Sequence, residues 1–228
     1  MILASICVRA GSKGVPLKNI KNLNGKPLLY YTIDCAKNAT LINDIVVSSD
    51  SDIMLDIAKD FGVSTTIKRP DDLASDSASK WDVFIHLVKE YEKTTGKTID
   101  FLVDLDVTVP LRLPEHIDGA IQMMLQNEAD VVITGYEPER NPYFNMMEVL
   151  DGKYATIVKK SNKPIVCRQD APLVYSLTPA VYVIKKEALY KYKHWSDAKC
   201  MIYEIPRKNA IDIDTEFDFE LVEYLMNK

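Results

Sequence analysis

The chain is sparing with the residues that most often announce a site: its 228 residues include three histidines, two tryptophans, four cysteines and eight glycines. Cys7, Cys35, Cys167 and Cys200 lie far apart and lack metal-ligand spacing, which fits reduced, packed thiols. His86 falls in an amphipathic segment, and His116 and His194 lie in polar surroundings; none has a partner pattern that suggests catalysis. There is no surplus of cations. With 28 Lys and Arg against 33 Asp and Glu the net charge is -5, which argues against broad binding to nucleic acid or an anionic membrane and makes any basic cluster a local device. No apolar run approaches the roughly 20 residues of a membrane span. The opening "MILASICVRAG" lacks the cationic lead of a signal peptide, so the expectation is a cytoplasmic protein.

What is present is alternation. Apolar runs at "ILASICV", "DIVVSSD", "VSTTIKR", "DFLVDLD" and "ADVVITGY" read as strands. Between them, "PLLYYTIDCAKNA", "SDIMLDIAKDFG", "KWDVFIHLVKEYEKTTG" and "PEHIDGAIQMMLQNE" carry helical spacing, with a Ser/Asp cap at Ser49 to Ser51 and stops at Gly62 and Gly96. Strand alternating with helix predicts βαβ units, hence a mostly parallel sheet covered on both faces. After Tyr136 the rhythm changes: "MMEVLDGKYATIVKK" reads as a hairpin turning at Asp151-Gly152, followed by the polar "SNKPIVCRQDAP". The α/β pattern resumes with "AVYVI", "KEALYKY", "MIYEIP" and "EFDFELVEYLMN". The expectation is one domain over residues 1–228 with an insertion at about 137–172. Tyr30, Tyr31 and Trp81 are most simply packing residues, and Trp195 a surface anchor.

Ligands of open α/β sheets sit beyond the carboxyl ends of strands, and four such ends carry unusual chemistry. Behind the first strand, "CVRAGSKGVPLKN" gathers Arg9, Ser12, Lys13 and Lys18 around Gly11 and Gly14, a set of donors suited to a polyphosphate. It is neither a Walker A loop nor GxGxxG. In "IDIDTEFDF", Asp212 and Asp214 stand two apart in an extended segment, so both carboxylates leave one face and suit Mg²⁺. In "VDLDVTVPLR", Asp104 and Asp106 end an apolar strand, where a carboxylate is expensive unless it binds something. In "KRPDDLASDSASKWD", Arg69 and Ser79 are placed to face a base or ribose, with helix capping by Ser77 or Ser79 equally good.

Together "RAGSKGVPLKN", "VVSSDS", "RPDDLASDSAS", "TVPLR", "RQDAPLVY" and "IDIDTEFDF", in this order, resemble the acylneuraminate cytidylyltransferases over nearly the whole chain. "LVDLDVTVPLR", "ERNPYFNMMEV" and "RQDAPLVY" are most similar to the branch acting on legionaminic acid. The resemblance implies a Rossmann-like nucleotidyltransferase fold, a homodimer built through the insertion, and the reaction of CTP with a nonulosonic acid to give CMP-sugar and pyrophosphate. It assigns Arg9, Ser12, Lys13, Lys18 and Asn19 to the triphosphate and cytidine, Arg69, Ser79 and Asp106 to the nucleotide, Asp212 and Asp214 to Mg²⁺, and Arg168, Gln169 and Tyr175 to the sugar. Lys18, Arg9 and Asp214 would carry the catalytic charge effects. The chain departs from the family pattern at Ala10-Gly11, Asp106-Val107-Thr108-Val109-Pro110 and Thr178-Pro179. Rival readings are a nucleotidyltransferase for a pseudaminate or Kdo-like acid, a glycosyltransferase using Asp104 and Asp106 as its metal pair, and a non-catalytic nucleotide binder.

Overall fold

The computed structural model describes residues 1–11, 15–75 and 77–228. Ser12 and Lys13, expected at the triphosphate, lie outside the described residues together with Gly14 and Asp76. A seven-stranded sheet forms the centre. In chain order its strands are β1 (Ile2–Cys7), β4 (Asp44–Ser49), β5 (Thr65–Lys68), β6 (Phe101–Asp104), β7 (Val131–Tyr136), β10 (Ser176–Lys185) and β11 (Cys200–Glu204), with two small hairpins supplying the missing numbers. Their spatial order is β11-β7-β10-β6-β1-β4-β5. β1, β4, β5 and β6 pair in parallel, as do β7 and β11, while β10 runs antiparallel to both neighbours. The expected mostly parallel, two-sided sheet is therefore present.

Period-two side-chain alternation divides the core between the faces. Ala4 and Ile6 of β1 join one cluster with α1 (Leu28–Asn38), α2 (Asp52–Asp60), α4 (Pro114–Gln126) and α6 (Glu216–Met226). Leu3 joins the other with α3 (Lys80–Thr95) and α5 (Lys186–Lys191). α3 shows how the sequence sets this up: Trp81, Phe84, Leu87, Val88 and Tyr91 make one buried stripe, Ser79 caps the start by accepting from the Trp81 N–H, and Gly96 ends it in the left-handed region at φ 69°. Each fully buried side chain such as Leu87 contributes on the order of 2 kcal/mol.

Two features go beyond the sequence pattern, and a third was expected from it. The long segment after β1 is not a plain loop: it folds a short 3-10 turn at Lys18–Ile20 and a hairpin of β2 (Asn22–Leu23) and β3 (Lys26–Pro27). Asn24 and Gly25 turn that hairpin, both with positive φ. Second, β10 is longer than the expected "AVYVI" and shifts register between Leu177 and Tyr182. Thr178 and Pro179 sit in that irregularity, which lets a proline enter a central strand; the Thr178 hydroxyl donates to the Ala210 carbonyl at 3.2 Å. Third, the segment between β7 and β10 stands apart, with β8 (Met147–Leu150) and β9 (Tyr154–Ile157) forming a separate two-stranded sheet. Asp151 and Gly152 turn it with φ of 51° and 67°.

Candidate active site

The chain runs outward from β1 to β4 and β5, then returns to lay β6 on β1's other side. Ligands of such sheets bind in the crevice at this reversal. A cavity of about 410 Å³ opens there, lined by residues that include Arg9, Lys18, Arg69, Lys80, Asp106 and Asp214. One side, from Leu73, Ser75, Ala78 and Val83, is uncharged, and the other is ionic.

The ionic side is assembled from three loops. Asn19 fixes the first by donating to the Arg9 carbonyl at 3.1 Å, and the Ala10 N–H donates to Asp50 at 2.9 Å. Lys18 reaches across to the late aspartates: it donates to the Ile213 carbonyl, and its ammonium lies 3.5 Å from the Asp214 carboxylate. Arg9, Lys18 and Asp214 thus line one cavity. Asp214 is 77% exposed in its side chain, free to turn toward a ligand. Asp212 is half-buried behind it, and its Oδ1 has no hydrogen-bond partner among the described residues. Burial, with the nearby Asp106 and Asp214 charges, raises the Asp212 carboxyl to about 6 against the pull of a Thr108 hydrogen bond and Lys18. An orphaned carboxylate oxygen held at this cost beside a second carboxylate fits a hard cation such as Mg²⁺.

The other acidic pair is already partnered. Asp104, 1% exposed, accepts from the Ser5 hydroxyl at 2.9 Å, and Lys80 lies 2.8 Å from its second oxygen. Lys80 also donates to Asp106 at 3.1 Å, while Thr108 donates to the other Asp106 oxygen through its hydroxyl at 3.1 Å and its N–H at 3.3 Å. Burial pushes the Asp106 carboxyl up, but Lys80 and the Thr108 bonds outweigh it and hold the carboxyl below the usual carboxylate range. The expense of an acid at the end of β6 is met by Lys80, which the strand pattern does not name. The signal was present: a lysine as the first residue of a helix opposes the helix dipole and needs a reason.

Other expected site residues fall differently. Arg69 lines the cavity but is buried, and its guanidinium donates to the Val8 and Ser48 carbonyls, tying the ends of β1 and β4 together. Ser79 is the α3 cap and is not among the lining residues; Ser75 and Ala78 from the same segment are. Cys7 also lines the floor, where burial first and the Asp104 charge second push its thiol far up, leaving a neutral wall. Arg168, Gln169 and Tyr175 do not meet this cavity. Arg168 and Gln169 line a separate recess of about 250 Å³, with Arg168 donating to the Pro138 carbonyl at 2.7 Å. Tyr175 lines another and donates to Glu204 at 3.1 Å. The unassigned aromatic and histidine residues are structural: Trp81 is buried and donates its indole N–H to the Tyr192 carbonyl at 2.8 Å, and His116 accepts from the Leu113 N–H at 3.2 Å.

Comparison with known proteins gives a consistent answer. The post-translational flagellin modification protein B of Campylobacter coli is 36% identical over 227 residues, covering 100% of this chain and 95% of the relative. The CMP-N,N'-diacetyllegionaminic acid synthase of Campylobacter jejuni is 33% identical over 226 residues, covering 99% and 95%. An N-acylneuraminate cytidylyltransferase of Streptococcus agalactiae is 31% identical over 219 residues, 94% of this chain and 51% of that longer protein. In fold, the chain is similar to a CMP:2-keto-3-deoxy-manno-octonic acid synthetase complexed with CTP, at a TM-score of 0.72 and 16% identity over 99% of this chain and 98% of the other. Among the described residues no helix is long and apolar enough to cross a membrane. The cytidylyltransferase family model matches residues 3–227, from the first strand of the sheet through the cavity loops to the last helix, and the chain belongs to that family.

Proposed function

We propose that this cytidylyltransferase activates a nonulosonic acid, an N-acylneuraminate or legionaminate, with CTP to give the CMP-sugar and pyrophosphate. The observation that carries the reading is the cavity at the chain reversal, where Arg9 and Lys18 stand beside an incompletely partnered aspartate pair. The relatives named as CMP-legionaminic acid synthase and N-acylneuraminate cytidylyltransferase support the substrate class.

In the reaction the anomeric hydroxyl of the sugar attacks the α-phosphorus of CTP. The new O–P bond forms as the bond to the β-phosphate oxygen breaks, the hydroxyl proton passes to water, and pyrophosphate departs. Such transfers depend on positioning and on neutralising charge more than on covalent help from the protein. Arg9 and Lys18 offset the charge that grows on the phosphates, in a site where each such group is worth on the order of 10²–10³ in rate. Asp212 and Asp214 would hold Mg²⁺, which supplies charge neutralisation and a lowered hydroxyl pKa when bound. The uncharged lining residues Leu73, Ser75, Ala78 and Val83 are available to the nucleoside, with Arg69 fixing the floor.

The arm between β7 and β10 supports a homodimer as part of this reading. Met147, Val149, Tyr154 and Val166 on it are each more than half exposed, a density of apolar surface that a second copy would cover. Arg168 and Gln169, turned away from their own cavity, would then serve the partner's sugar site. Light scattering that found only monomers at assay concentration would remove this role for the arm. The function itself is tested by pyrophosphate release from CTP with N-acetylneuraminic, legionaminic, pseudaminic and Kdo acids in parallel. Release with either of the first two and formation of the CMP-sugar by mass spectrometry is expected; release with none of the four would overturn the reading.

A further inference from the structure

Lys80 lines the cavity from a position that local preferences disfavour. As the first residue of α3 it opposes the positive end of the helix. Its ammonium sits between Asp104 and Asp106, 5.2 Å from the centre of the Tyr182 ring and 5.7 Å from that of Phe84. The side chain is still 42% exposed and lines the cavity.

Resting on the CTP-binding reading above, the geometry points to Lys80 as the positioning residue that sets the charge of the cavity wall, holding Asp104 and Asp106 so that an anionic nucleotide can lie against them. Two carboxylates with one ammonium leave a single net negative charge on this wall. Without the ammonium there would be two, and Asp106, at 27% side-chain exposure, would face the nucleotide's phosphates directly. Arg112 keeps the backbone of that wall in place, donating to the Asp106 carbonyl at 3.1 Å and the Ala180 carbonyl at 2.6 Å, so Asp106 cannot simply swing away with its loop. Lys80 therefore acts through the two aspartates, by removing a repulsion.

This predicts a pattern that a merely structural lysine would not give. CTP affinity is measured by calorimetry in Mg²⁺ on the full chain, for wild type and for Lys80→Met, Lys80→Arg, Asp106→Asn and the Lys80→Met/Asp106→Asn double variant, each first checked for a cooperative thermal transition. Lys80→Met should weaken CTP on the order of tenfold to a hundredfold, as expected for one unit charge a few ångströms away in a partly screened site. Lys80→Arg should stay within a few-fold of wild type. The double variant should recover most of the loss, because the repelling charge is gone. Asp106→Asn alone, in which Lys80 still covers the buried Asp104, should bind CTP several-fold more tightly than wild type; this arm decides the matter even if Lys80→Met fails to fold. Lys80→Met binding like wild type, a double variant no tighter than Lys80→Met, or an Asp106→Asn no tighter than wild type would each overturn the inference. Wild type that bound no CTP would instead defeat the functional reading on which it rests.

Discussion

Two acidic pairs of identical spacing meet at the site, Asp104 with Asp106 and Asp212 with Asp214, and the fold treats them in opposite ways. The early pair ends a central strand. Ser5 and Thr108 donate to its carboxylates, Lys80 pairs with the charge of both, and the net effect of those partners is to hold the Asp106 carboxyl below the usual carboxylate range. The late pair lies in an extended segment leading to α6, where Asp212 keeps an oxygen without a hydrogen-bond partner among the described residues and a raised carboxyl, while Asp214 is largely exposed. Two carboxylates two residues apart are thus a motif only in the sense of reach. Whether they hold a metal or a lysine is set by what the rest of the chain brings to them, and here Lys80 has already taken the pair that a DxD glycosyltransferase reading would need.

The sharpest break between the pairs is in turnover. Asp214→Ala should lower CMP-sugar synthesis by about 10²–10³-fold or more with an unchanged melting temperature, since its side chain is 77% exposed. Near-normal turnover by that variant would end the metal assignment. Next in size is stability. Asp104→Ala should cost about 2 kcal/mol in denaturant unfolding, because it leaves Lys80 and Ser5 facing an emptied site; the cost is reduced by the solvent that already reaches Lys80. Asp212→Asn should do the reverse. It removes a buried anion whose carboxyl is raised to about 6, so the metal-free protein should gain about 1–2 kcal/mol at pH 7.5 while losing turnover. A destabilised Asp212→Asn protein would show that the orphaned oxygen is better satisfied than its geometry implies.

The smallest effect is a difference in the sign of the pH dependence. A carboxyl raised in the folded state opposes folding above its folded pKa, and that penalty disappears as pH falls through about 6 toward the ordinary value of 3.8. The lead of Asp212→Asn over wild type should therefore shrink between pH 7.5 and 4.5. Asp106 is shifted the other way. Its contribution is fully present above the ordinary carboxylate value and is lost only as pH falls through its lower folded pKa, so any deficit of Asp106→Asn should persist across the same window. Melting curves of the two variants and wild type at several pH values measure both gaps at once.

Much of the scaffold was legible because its signals are local. The helix spanning Lys80–Thr95 has its stripe, its serine cap and its Gly96 stop within one stretch of chain, and the Asp151-Gly152 turn carries its φ > 0 requirement in the residues themselves. The same rule, applied to Asn24-Gly25, would have found the hairpin hidden in the long opening segment. What was not legible is non-local. The antiparallel direction of β10 leaves no trace in the apolar period of "AVYVI", because periodicity reports which face a side chain takes and not which way the strand runs. Lys80 and Asp106 are 26 residues apart, and only the return of β6 onto β1 brings them together. The grouping of Lys18 with Asp214 rests on family resemblance in the sequence, and the fold supplies its physical basis: the late segment returns to the first loop, with a sequence separation of 195 between Lys18 and the Ile213 carbonyl it holds.

The most direct test of the account is a count of bound metal by pair. Mn²⁺ in place of Mg²⁺, with CTP present, should be taken up by wild type and by Asp106→Asn, as followed by electron paramagnetic resonance, and should be lost from Asp212→Asn and Asp214→Asn. Uptake that survives in both late-pair variants but vanishes in Asp106→Asn would contradict it, and would move the metal to the pair that Lys80 holds.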